Sequence, residues 1–169
     1  MNAQKSDVII VGGGIAGLVT AFECLNSGLN VTIIERDKEE SLGGLAKLSF
    51  GGMALVDTPL QRKMGVHDSP EIALKDWYSF ANFGEDDFWP KQWAQYYVDH
   101  CLKDVYDWLI EHGLKFLPAV NWVERGQYGD GNSLPRYHIL WGTGYRLVER
   151  FIELLKTHKN NHKLKILFE

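Results

Sequence analysis

Apolar and polar positions change period several times along this chain, and each change predicts an element. Asp7 to Val11 (DVIIV) is a short β-branched run closed by three glycines, the pattern of a buried parallel strand. From Ile15 to Ser27 the period becomes helical. Leu18, Ala21, Phe22 and Leu25 recur at spacings of three and four and share one face, and Gly28 stands where a helix-ending glycine belongs. Val31 to Ile34 (VTII) is a second β-branched strand that closes at Glu35. Strand, helix and strand within about 30 residues form a βαβ unit, whose crossover is right-handed.

Beyond Glu35 the texture changes. Residues 36–66 carry a polar turn, Gly43-Gly44, Gly51-Gly52 and Pro59, so they read as loop with a short strand around Ala54–Val56. Ser69 to Phe80 is expected to be a helix, with Ser69 as N-cap, Pro70 in the first helical position and Glu71 in the first turn. Pro90 to His112 is the longest helical stretch. Its stripe of Trp93, Tyr97, Cys101, Val105 and Trp108 is expected in the core, with Ala94, Val98, Leu102 and Leu109 beside it and Gly113 at its end. Leu114 to Trp122 reads as extended and Glu124 to Arg136 as a Gly-rich loop. A last helix is expected from Tyr145 to His158, with Leu147, Val148, Phe151, Leu154 and Leu155 inward. Leu164 to Glu169 (LKILFE) reads as the start of a further strand, so the sequence is expected to be the N-terminal piece of a longer protein. The expected division is 1–66, a dinucleotide-binding βαβ unit and flavin loop; 67–144, a helical and loop insertion; and 145–169, a helix and the beginning of a strand. The fold class is therefore α/β: a Rossmann-like, three-layer FAD/NAD(P)-binding fold on a parallel sheet, incomplete at its C-terminus and carrying a helical insertion.

Composition narrows this picture only slightly. The 169 residues are 45% apolar and 24% charged, as in an ordinary globular domain. No stretch approaches the ~18 consecutive apolar residues of a membrane span. The polar start MNAQKSD lacks the features of a secretory signal, and a formal charge of -4 gives no support to nucleic-acid binding. Cys24 and Cys101 lie far apart and outside any metal or redox spacing. Reduced thiols and a cytoplasmic location are expected. The partner class is a small-molecule substrate, and the pattern sets no oligomeric state.

The chemistry concentrates at Gly12-Gly13-Gly14-Ile15-Ala16-Gly17, with glycine at the first, third and sixth places of GxGxxG. The hexapeptide alone is a weak signal in a chain with 17 glycines, but here it follows a strand and opens a helix. Gly12 permits the tight turn, Gly14 lets the backbone approach a pyrophosphate, and Gly17 lets the helix pack on the sheet. The anion then meets unpaired N–H groups at the positive end of the helix dipole. Glu35 lies 18 residues past Gly17 at the end of the second strand, placed to accept from a ribose hydroxyl and to repel a 2′-phosphate, with Arg36 beside it. The motif does not choose between FAD and NAD. A second doublet, Gly43-Gly44, follows Glu35 after seven intervening residues.

The stretch DVIIVGGGIAGLVTAFECLNSGLNVTIIERD…LGG resembles the FAD fingerprint of flavoproteins related to glutathione reductase and fumarate reductase. LGGLAKLSFGGMALVDTPLQRKMGVHDSPEIALKDW, WPKQWAQYYVD and ERGQYGDGNSLPRYHILWGTG are similar to FAD-binding dehydrogenases of the fumarate reductase/succinate dehydrogenase flavoprotein group, most of all the branch of 3-ketosteroid Δ1-dehydrogenase. The resemblance implies FAD as cofactor, and it places Gly43, Gly44, Ser49, Gly51 and Gly52 beside the flavin. Some members of the group attach FAD through a histidine. No histidine precedes His67 here and the corresponding place, near Leu45, is aliphatic, so the flavin is expected to be non-covalent. The activity implied is dehydrogenation or reduction of a C–C bond next to a carbonyl. The catalytic residues stay unassigned: Ser49 is as readily a turn residue, His138 beside Tyr137 and Trp141 a packed one, and neither Tyr128 nor Tyr137 matches a family position. Glu85-Asp86-Asp87 reads as a solvated turn and no metal site is expected. Two alternatives stay open, a non-catalytic nucleotide-binding fragment and a flavin amine oxidase or monooxygenase.

Overall fold

The computed structural model of the chain describes residues 5–117, 123–127 and 129–169. In chain order β1 is Val8–Val11, α1 Ile15–Asn26, β2 Val31–Ile34, β3 Gly52–Ala54, α2 Pro59–Lys63 and α3 Pro70–Ala81. Helix α4, Phe88–Cys101, runs through a π-helical stretch, Leu102–Asp107, into α5, Trp108–Glu111. Then come β4 (Tyr137–Ile139), α6 (Thr143–Thr157) and β5 (Leu164–Leu167), with short 3-10 turns at Glu39–Ser41, Gly44–Leu48 and Asn161–Lys163. The chain divides into two units, one formed by residues up to Gly51 together with Gly142–Glu169, the other by Gly52–Trp141.

The first unit carries a parallel sheet in the order β1-β2-β5, with Val8 opposite Val31 and Val31 opposite Leu164. This register puts Ile10, Ile33 and Ile166 on one face and Val11, Ile34 and Leu167 on the other. Helix α1 packs on the first face; a Cβ at Gly17 would lie 3.3 Å from Ile10 Cγ2. Helices α1 and α6 meet through an edge-to-face contact of Phe22 and Phe151. Leu18, Leu25, Ile33, Val148 and Phe151 are inaccessible to solvent, each burial contributing about 1.5–3 kcal/mol. Most of the opposite face is open: Ile9 is 63% exposed, Val11 85%, Ile34 43% and Leu167 41%, while Thr32 on that face is buried. The βαβ unit, the last helix and the closing strand all form where the periodicity predicts them.

In the second unit, α3 is capped as expected, the Ser69 hydroxyl accepting from the Ile72 N–H at 3.3 Å. The expected strand near Ala54 is β3, which pairs antiparallel with β4. Helix α2 stands inside the segment expected to be loop. A capping box forms it: the Thr58 hydroxyl accepts from the Gln61 N–H, and the Gln61 side chain accepts from the Thr58 N–H at 2.9 Å. A second correction concerns the aromatic stripe. Trp93 is 66% exposed, and the buried line is Ala94, Val98, Cys101, Tyr106 and Leu109. A spacing of four along Trp93, Tyr97 and Cys101 drifts around a helix of 3.6 residues per turn. The five-residue step from Cys101 to Tyr106 falls on the π-helical stretch, which returns the buried line to the core. The extended stretch expected over 114–122 is described as far as residue 117 and forms a bridge between Phe116 and Leu140; its remainder, 118–122, and Tyr128 fall outside the described residues.

Candidate functional site

The strand-to-helix turn of the first unit assembles the expected cofactor residues. Gly12 leaves β1 with φ +99°, a left-handed conformation that favours glycine. Gly17 sits directly beneath it in α1, and a Cβ there would overlap the Gly12 carbonyl oxygen. A Cβ at Gly14, by contrast, would meet nothing within 4 Å, so the protein's own packing does not demand glycine there. Gly14 is the N-cap of α1, and no side chain caps this end. Ile15 is half-buried and Ala16 exposed in the first turn.

Glu35 closes the turn from the next strand. Its carboxylate accepts from the Gly13 N–H at 2.5 Å and from the Asp37 N–H at 2.9 Å. These backbone donors, Asp37 first and Gly13 second, hold the carboxyl below its ordinary range. The acid is therefore ionised at neutral pH, with exposed Arg36 next to it.

The second glycine doublet is physically joined to the first turn. The Gly43 N–H donates to the Gly13 carbonyl at 2.9 Å, and Gly14 and Gly43 form a parallel bridge. Gly43 is also the point where Val148 of α6 seats, since a Cβ there would overlap the Val148 side chain. Gly12, Ile34, Glu35, Arg36 and Gly44 line one cavity of about 680 Å³ together with Leu45, within the ~300–1,000 Å³ of small-molecule and cofactor sites. This donor set fits a dinucleotide: helix-mouth N–H groups for the diphosphate, an ionised acid for the ribose and apolar walls for a ring.

Ser49 and Gly51 lie farther along the same loop, against the start of α6. The exposed Ser49 hydroxyl donates to the Ala46 carbonyl at 2.9 Å, and the Ser49 carbonyl accepts from the Gly144 N–H at 3.0 Å. Gly52 instead opens β3 of the second unit, opposite Ile139. His138 is also in that unit and is fully buried. Its Nδ1 faces the Arg136 carbonyl at 2.7 Å and so carries the proton, while Nε2 accepts from the Thr58 hydroxyl at 2.7 Å. Burial keeps this imidazole below its usual value and therefore neutral. Every ring nitrogen is committed, so His138 is a structural residue here. Sequence reasoning placed Val148 only as an inward residue of the last helix; its seat against Gly43 comes from a contact across about 100 residues of chain.

The FAD binding domain family matches residues 7–169. A KsdD-like steroid dehydrogenase of Mycobacterium tuberculosis is 48% identical over 155 residues, covering 89% of this chain and 27% of its own length. The cytochrome-type fumarate reductase of Shewanella frigidimarina is 31% identical over 170 residues, covering 93% of this chain and 28% of its own. Among solved structures, the open form of a flavocytochrome c3 fumarate reductase superposes with a TM-score of 0.77 at 20% identity, covering 98% of this chain and 27% of that one. The 3-ketosteroid-Δ4-(5α)-dehydrogenase of Rhodococcus jostii RHA1 gives 0.75 at 23% identity, covering 96% and 37%. The chain thus spans little more than a quarter of the length of these curated relatives.

Proposed function

Because this chain belongs to the FAD binding domain family, we propose that it is the FAD-holding N-terminal part of a flavoprotein oxidoreductase acting on a C–C bond next to a carbonyl. The observation that carries the reading is the joint between the two glycine motifs, Gly43 N–H to Gly13 carbonyl at 2.9 Å, which makes one continuous cradle. In it Gly12 to Gly17 hold the diphosphate and Glu35 and Arg36 the adenosine. Gly43, Gly44, Ser49 and Gly51 follow the cofactor toward its flavin. Bound FAD supplies the hydride acceptor or donor for the bond being changed. The chain's own share is to bind it, orient it and hold an ionised acid at its ribose.

The flavin is held without a covalent bond: the side chain at the relevant place, Leu45, is 84% exposed and has no nucleophilic atom. The names of the relatives, steroid dehydrogenases and a fumarate reductase, support a small carbonyl compound as substrate. A cytoplasmic location belongs to the same proposal and is supported by two free cysteines, Cys24 and Cys101. Among the described residues no helix is long and apolar enough to cross a membrane.

The test is a titration of the purified chain with FAD, followed by flavin fluorescence and gel filtration. Co-elution of yellow cofactor, releasable by denaturant without a covalent flavopeptide, is the expected result. A chain that binds no FAD refutes the proposal. Adding a steroid donor and a tetrazolium dye then separates an oxidoreductase from a module that only binds nucleotide.

A further inference from the structure

Helix α6 begins in an unusual way. Gly142 and Thr143 both adopt left-handed backbone conformations, with φ +87° and +64°. Glycine does so freely, but a β-branched residue is among the least suited to it. Such an outlier persists when its surroundings hold it in place, and here the surroundings are the cofactor loop. Gly51 faces Thr143 backbone to backbone: a Cβ on Gly51 would lie 2.8 Å from the Thr143 carbonyl carbon and 3.2 Å from its Cα. One residue on, the Gly144 N–H donates to the Ser49 carbonyl at 3.0 Å. A Cβ on Gly144 would overlap the Ala46 carbonyl and the Ser49 hydroxyl. The Thr143 hydroxyl is turned back to accept from the Tyr145 N–H at 3.3 Å, which ties the left-handed residue to the first turn of its own helix.

We propose that Thr143 is a positioning residue for FAD: its side-chain tie to Tyr145 fixes the left-handed bend that presses Gly144 and Thr143 onto loop Gly44–Gly51, so that the loop is shaped before the cofactor arrives. The inference rests on the FAD reading for its consequence and on the chain alone for its geometry. A loop shaped in advance loses less freedom on binding, and that saving appears as affinity.

The experiment compares Thr143→Gly and Thr143→Asn. Glycine adopts the bend without strain but has no oxygen to lock it. Asparagine tolerates the left-handed region, and its side-chain oxygen accepts from an N–H two residues on. In the cofactor-free chain, amide exchange at Gly144 and across residues 44–51 is expected to speed up on the order of tenfold in Thr143→Gly, about one hydrogen bond's worth. FAD affinity should weaken by a similar factor with an altered visible flavin spectrum, and the melting temperature of the cofactor-free chain should hold. Thr143→Asn should restore exchange, affinity and spectrum. Unchanged exchange in Thr143→Gly, or no rescue by asparagine, overturns the proposal. A lowered melting temperature in both variants also overturns it, because Thr143 would then be a general structural residue. If the unaltered chain takes up no FAD, the cofactor reading fails separately, and the exchange comparison still decides whether Thr143 shapes the loop.

Discussion

Gly14 and Gly17 stand three residues apart in one motif, yet they should fail in opposite ways. At Gly14 the backbone has φ -70° and ψ -179°, values that any residue adopts, and a methyl group there meets no protein atom within 4 Å. Gly14→Ala should therefore leave the cofactor-free fold intact, or stabilise it by roughly 0.4–1 kcal/mol through the lost freedom of the unfolded chain. The added carbon stands at the mouth of α1, where a diphosphate would come to rest. Displacing one charge-assisted hydrogen bond costs about 1.5–3 kcal/mol, which is a ~10- to 150-fold loss of FAD affinity. At Gly17 the same methyl overlaps the Gly12 carbonyl oxygen and lies 3.2 Å from its carbon. Strand, turn and helix must shift, and such overpacking costs typically 1–3 kcal/mol. Gly17→Ala should thus melt earlier even without cofactor. The assay is thermal denaturation of both cofactor-free variants alongside FAD titration by flavin fluorescence. Full affinity in Gly14→Ala, or equal destabilisation of the two variants, would refute the division of labour argued from these contacts.

Glu35→Gln keeps the shape of the side chain but removes its charge, so FAD should bind several-fold more weakly at neutral pH. Because the folded carboxyl lies below its usual 4.5, its contribution is present above that value and lost as pH falls through the folded value. Titrations carried from pH 7 to well below 4.5 should show the acid loss in the parent and not in the variant. Arg136, 3% exposed, donates to Asp68 at 2.7 and 2.8 Å and to Asp76 at 2.7 Å. Arg136→Met strands two buried carboxylates, and a loss of about 3–5 kcal/mol should appear in urea unfolding followed by tryptophan fluorescence. His138, kept neutral by burial below its ordinary 6.5, makes the folded state bind fewer protons than the unfolded one. Stability should be full above pH 6.5 and decline as pH falls below it; an equal slope in His138→Gln, read by thermal melts from pH 7.5 to 5, would exclude this histidine as the cause.

Features set by neighbours in sequence were legible before the fold was known. Leu18, Ala21, Phe22 and Leu25 announce α1 because a helix repeats every 3.6 residues, and all four are buried. The pattern VTII announces β2 for a similar reason. Local order failed where the decisive contact lay far away. Trp93 matched a helical stripe, but a spacing of four drifts off one face, and the π-helical step after Cys101 that restores the buried line belongs to the packing of the whole segment and not to any single residue. Helix α2 did carry a local sign, Thr58 followed three residues later by Gln61, set among glycines and prolines that by themselves favour loop. The joint between Gly13 and Gly43 could not be seen from spacing alone, since the doublet had to fold back across the intervening turn. The same holds for Thr143, whose unusual backbone has no signature beyond the glycines on either side of it.

The uncovered side of the sheet has a practical consequence for anyone handling this polypeptide. Ile9, Val11, Ile34 and Leu167 give it an adhesive surface, and among the described residues β1 pairs only with β2. Concentrated stocks should therefore tend toward intermolecular strand pairing and haze. Two of the sticky side chains, Val11 and Ile34, also line the cofactor cavity, so a preparation kept yellow ought to stay clear longer than a colourless one.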